Sequence, residues 1–126
     1  MRIQDAKGLY IIDFDATKMV AYEKISGSWT KEDYLRYHSE YVSKVGPILG
    51  GKSWVKLSDI REYKTSDIAD AMEAHTTWMK KTNLKGVAVL VSSAIIKMQL
   101  NRASAGQILQ KAFDNEKEAA EWLNSL

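Results

Sequence analysis

The chain has no cysteine, which excludes disulfides, thiolate nucleophiles and sulfur-ligated zinc. Proline is nearly absent too. Pro47, with Gly46, Gly50 and Gly51 around it, marks one strong break, and no linker, repeat or low-complexity segment follows elsewhere. Neither sign of charge dominates: 18 Lys and Arg against 16 Asp and Glu leave a formal net charge of +2, too small for the electrostatic footprint of a nucleic-acid binder. No uncharged apolar run approaches the ~20 residues that span a bilayer, and the opening "MRIQDAKGLY" lacks the apolar core of a signal peptide. The expected location is therefore the cytoplasm, with no membrane span. The glycines are scattered, and no GxxxxGK or GxGxxG follows a strand, so a nucleotide-phosphate loop is not supported.

What is present is an ordinary globular composition. With 126 residues, 45% hydrophobic and 27% charged, the chain is long enough to enclose one core, and a single domain over 1–126 is expected. "GLYIIDF" and "KMVAYEKI" are rich in β-branched and aromatic residues around the turn-like "DATK", and predict an antiparallel hairpin from about Leu9 to Ile25. Thr30 and Asp33 have the spacing of a capping box, so a helix is expected from there to about Val45, with Tyr34, Tyr41, Val42 and Val45 on its apolar stripe. "SWVKLSD" reads as the next strand. From Ser66 to about Thr82 the positions Ile68, Met72, His75 and Met79 step by four, three and four, which predicts a second amphipathic helix.

"GVAVLVS" is a continuous apolar run of strand length, expected at the centre of a parallel arrangement covered on both faces. A third helix from about Ala94 to Arg102, a strand in "QILQKAF" and a closing helix in "DNEKEAAEWLNSL" complete the order ββαβαβαβα. Strands joined by helical crossovers must pair in parallel, so the fold class is α/β, with a mixed four- to five-stranded sheet, an N-terminal hairpin and about four helices.

The chemistry-bearing residues are few. His38 and His75 are the candidate imidazole bases, both on helices near the apolar stripe, and neither has a nucleophile at a paired spacing. Asp13 and Asp15 flank a turn, and Asp67 and Asp70 sit in a first helical turn where negative charge is favoured. Trp29, Tyr34, Tyr37 and Tyr41 could line a pocket or simply fill the core. In an open parallel sheet, ligands and partners meet the carboxyl ends of the strands. That edge should carry Ser58, Asp59, Thr65, Ser66, Ser92 and Ser93, a set in which hydroxyls predominate with no base beside them, suited to phosphate, anion or protein recognition rather than to acyl transfer or proton abstraction.

The element order, "VKLSDI" leading into "TSDIADAM", the apolar "GVAVLVS" and the ending "AFDNEKEAAEWL" together resemble the SpoIIAA-like branch of the STAS domains, the fold of the anti-sigma-factor antagonists. The resemblance spans nearly the whole chain. It implies that Asp59 and Ser66 stand where a classical antagonist has its strand-ending aspartate and phosphorylatable serine, which makes Ser66 a candidate phosphorylation site. Asp67 follows Ser66 where that motif usually has a glycine, so a helix-capping role competes with the switch role.

The leading functional expectation is a non-enzymatic regulatory or scaffolding module, with no cofactor and no catalytic or metal site. It would bind a protein partner, of the regulatory-kinase or anti-sigma-factor kind, through the loop from Ile60 to Ser66 and the helix after it, with Arg61 of the exposed "REYK" on that surface. The alternative is a module that holds a small ligand, an anion or a lipid near Ser58, Ser92 and Ser93. A homodimer is a further expected state.

Overall fold

A computed structural model describes residues 1–64, 69–93 and 108–126. Thr65, Ser66, Asp67, Ile68 and the expected helix from Ala94 to Arg102 lie outside the described residues.

Six strands form one sheet in chain order: β1 Arg2–Gln4, β2 Tyr10–Asp15, β3 Val20–Gly27, β4 Trp54–Tyr63, β5 Leu84–Leu90 and β6 Gln110–Phe113. The first three pair antiparallel, and β3 to β6 pair in parallel, so the sheet is mixed, as expected. The short β1 is additional to the expected strands. It pairs Ile3 with Ile12 and is pinned outside by Arg2, whose guanidinium makes two hydrogen bonds to Asp13 at 2.8 and 3.1 Å.

The helix α1, Lys31–Glu40, starts where the capping box predicts: the Thr30 hydroxyl accepts from the Asp33 amide at 3.3 Å and the Asp33 carboxylate accepts from the Thr30 amide at 2.9 Å. It runs on through a π-helical turn, Tyr41–Val45, into the short α2, Gly46–Leu49. That widened turn changes the phase of the stripe. Tyr41 and Val45 are buried as expected, but Val42 is 43% exposed, a correction to the regular period assumed from sequence. The helices α3, Ala69–Lys80, and α4, Glu116–Asn124, complete the described set.

The sheet has two unlike faces. On one, α1, the π turn and α3 cover Tyr10, Ile12, Phe14, Ala21, Ile25 and Trp54 in the larger core. On the other, α4 packs Ala119 and Leu123 against Leu57, Ala88 and Phe113, with Trp122 partly buried beside them. Strand β5 lies between β4 and β6 and buries every residue from Gly86 to Leu90, as its unbroken apolar run implied.

Candidate functional site

Alternation along two neighbouring strands creates the site. On β3, Ala21, Glu23 and Ile25 share the face toward α1; on β4, Trp54, Lys56 and Ser58 do the same, and the register sets Glu23 directly beside Ser58. Two opposite charges thus enter the larger core from adjacent strands. Their side chains are only 3% (Lys56) and 4% (Glu23) exposed, and Lys56 Nζ lies 3.3 Å from Glu23 Oε1.

Each charge is fully dressed. Glu23 accepts from the Tyr37 and Tyr41 hydroxyls, both at 2.5 Å, and from Ser58 Oγ at 2.6 Å. Burial alone would raise the Glu23 pKa, but the Lys56 charge and then the Ser58, Tyr37 and Tyr41 donors outweigh it and hold the carboxyl below its ordinary range. Burial pulls Lys56 below the ordinary amine value, with Glu23 opposing. The ammonium of Lys56 donates to the Tyr37 oxygen at 3.2 Å, to His75 Nε2 at 3.0 Å and to the Met79 sulfur at 3.4 Å, and is ion-paired with Glu23 at 3.3 Å. The same nitrogen stands 4.1 Å from the Tyr41 ring centroid, a cation–π contact.

The network continues outward. Buried His75 meets the half-buried His38 with Nδ1 to Nδ1 at 2.9 Å, which ties α3 to α1. Burial lowers the pKa of both rings, and the Lys56 charge adds to it. Both histidines are thus hydrogen-bonded, at the core and at its boundary.

Beside this network is a cavity of about 230 Å³, half open to solvent, between α3 and the sheet. Glu23, Lys56 and Ser58 form its polar floor, and Ile25, Trp29, Ile60, Val87, Val89 and Met79 line its apolar walls. Its rim carries the hydroxyls of Tyr34, Tyr63 and Thr76, for which no hydrogen-bond partner occurs among the described residues. Burial raises the Tyr34 pKa, with Glu23 and Tyr63 adding to it, so that phenol is a donor at any ordinary pH. Of the aromatic series weighed from sequence, Trp29, Tyr34 and Tyr37 line this cavity.

The residues expected at the sheet edge are distributed differently. Ser58 points inward to Glu23 and floors the cavity. Asp59, the next residue, points to the opposite face, where Arg61 clamps it through Nε at 3.0 Å and Nη2 at 2.8 Å. Ile60 to Tyr63 belong to β4 and not to a loop: after a bulge, Ser26 pairs with Glu62 and Gly27 with Tyr63. Ser92 is exposed and Ser93 half-buried just past β5, and neither lines the cavity; Thr65 and Ser66 lie outside the described residues. Among the described residues no group of three or more His, Asp or Glu could hold a metal.

The Glu23–Lys56 pair went unnoticed in the sequence, although a signal was there: in "VAYEKIS" and "WVKLS" each charge sits at the parity of the buried apolar residues.

Comparison with solved structures settles the fold. An uncharacterized protein of the DUF3478 family with a SpoIIAA-like fold, from Shewanella loihica PV-4, superposes with a TM-score of 0.65 over 89% of this chain and 90% of that one, at 22% identity. The fold of this chain is SpoIIAA-like. No protein-family model and no curated protein matches it. Within the SpoIIAA-like sheet, the cavity sits toward the carboxyl ends of β3 and β4, the side where open parallel sheets take ligands. No helix among the described residues is long and apolar enough to cross a membrane.

Proposed function

We propose that the chain is a non-enzymatic binding module that holds one small, neutral, largely apolar molecule in the cavity beneath α3. The observation that carries this reading is the cavity itself, about 230 Å³ with a floor whose charges already satisfy each other and a rim of hydroxyls that meet no hydrogen-bond partner among the described residues. A cavity of ~150 Å³ suffices for benzene, so the volume suits a molecule somewhat larger than a single ring. Since Glu23 and Lys56 cancel, a charged ligand would enter without a counter-charge and lose part of its hydration. Tyr34, Tyr63 and Thr76 offer O–H donors, which favours a carbonyl, ether or hydroxyl oxygen on the ligand. Chemistry at the cavity floor is disfavoured because Lys56 and Glu23 are both engaged by fixed partners.

A regulatory role fits the same site. Met72 lines the cavity while remaining 47% exposed on α3, so an occupant is felt on the outer surface that a protein partner would meet. Indole, a neutral probe with an apolar body, tests the ligand reading by titration into the protein while the Met72 and Met79 methyl resonances are followed. Saturable shifts that disappear in Val89→Phe, which fills the cavity, are expected. Shifts that survive the filling, or no saturable binding by indole or by any molecule extracted from protein purified from its host, would overturn it.

A further inference from the structure

With Lys56 charged beside the ionised Glu23, one set of hydrogen-bond directions in the buried network follows. An ammonium only donates, so Lys56 Nζ at 3.0 Å makes His75 Nε2 an acceptor that carries no proton. The proton of neutral His75 is then on Nδ1. That nitrogen faces His38 Nδ1 at 2.9 Å, which must accept in turn, leaving the His38 proton on Nε2. One directed chain therefore runs from the cavity floor through α3 to a half-buried ring on α1.

We propose that His38 is a proton-controlled latch on the cavity: its neutral ring holds α3 against α1 through His75, and its protonation releases α3. Protonated His38 carries a hydrogen on both nitrogens, so two N–H groups would confront each other across the 2.9 Å contact. His75 cannot yield by moving its own proton to Nε2, because Lys56 already donates there. The contact has to open. Its opening loosens the helix that supplies Met72, His75, Thr76 and Met79 to the cavity wall.

The groups that face the pair identify His38 as the one that titrates. From β4 comes Lys56, held by Glu23, Tyr37, His75 and the Met79 sulfur; from β3 comes Glu23, held ionised by Lys56 and three hydroxyl donors; from α1 and the π turn come the phenols of Tyr34, Tyr37 and Tyr41. Burial raises all three phenols, and it lowers both imidazoles, His75 well below its ordinary value. Only His38 among these meets solvent and changes charge in mildly acidic conditions. Trp78, which stacks on His75 and faces the His38 ring edge, adds no charge.

This inference rests on the cavity as the ligand site, yet its test needs no ligand. Long-range proton–nitrogen spectra of the full chain assign the tautomers: above about pH 7.5, beyond the ordinary imidazole pKa of about 6.5, His75 should carry its proton on Nδ1 and His38 on Nε2. On acidification the Met79 methyl resonance, which reports the wall beside Lys56, should shift with the same midpoint as His38. His38→Gln supplies a carbonyl oxygen that accepts from His75 at every pH, so the methyl titration should vanish while the protein stays folded. A His75 proton on Nε2, a Met79 titration unlinked to His38, or one that persists in His38→Gln would overturn the latch. Failure of indole to bind at neutral pH would refute the ligand reading alone and leave these results standing.

Discussion

Replacing Lys56 by methionine keeps most of the side-chain volume and removes the one positive charge beside Glu23. The carboxylate is 4% exposed and would keep its three hydroxyl donors, at 2.5, 2.5 and 2.6 Å, but lose its counter-ion. Breaking a buried pair by deleting one partner costs about 3–5 kcal/mol, because the survivor's desolvation is no longer offset. The retained hydroxyls argue for the lower end of that range, and His75 loses its donor as well. The assay is urea unfolding of wild type, Lys56→Met, Glu23→Gln and the double variant. Each single change should cost roughly 3 kcal/mol or more, and the double should cost less than the sum, because neither charge is then left alone.

The pH dependence sharpens the test. In the wild type the Glu23 pKa is lowered, so its contribution is present above the unfolded carboxyl value of about 4.3 and is lost as pH falls through the folded value. In Lys56→Met, burial without the cation should raise it, so stability relative to wild type should be greatest below about pH 4.3 and decline as pH rises through the folded value. A loss under about 1 kcal/mol for Lys56→Met, or an unchanged sign of the pH slope, would refute the claim that the pair is an isolated buried charge system.

Gly86→Ala should destabilise by about 1–3 kcal/mol, read from the shift in urea midpoint. A Cβ there would stand 2.7 Å from Leu126 Cδ1 and 3.2 Å from Trp122 Cη2, so the Leu126 side chain must swing away and the Trp122 indole must shift. Thr30→Ala should lose about 0.5–2 kcal/mol in the same assay, since its hydroxyl caps the Asp33 amide at 3.3 Å. The lowered pKa values of His38 and His75 make the folded state favour neutral rings, so their contribution is complete above about pH 6.5 and is lost as pH falls below it toward the folded values. Thermal melts from neutral to mildly acidic pH should therefore lose less stability in His38→Gln than in wild type. For Ser66, intact-mass and phosphopeptide measurements on protein from its native host decide between capping and phosphorylation; the cap reading expects no stoichiometric phosphate.

Local pattern was enough for the frame of this protein. The hairpin, the capping box at Thr30, the central β5 and the acidic start of α4 all follow from interactions within a few residues, and period-two or period-3.6 burial reports them directly. Neighbouring positions also betrayed that "VKLSD" is a strand with Ser58 at the parity of Lys56, yet not what either would meet on that face. Their partner depends on register with β3, a pairing between residues 35 apart. The same pairing brings Glu23 to Lys56, and helix docking then adds Tyr37, Tyr41 and His75 from segments that no spacing connects. A charge in a strand looks like a solvated residue until its partner is known, because burial becomes affordable only when the opposite charge and the hydroxyl donors arrive together. The cavity is the space those long-range contacts leave between α3 and the sheet, so it exists only in the folded chain.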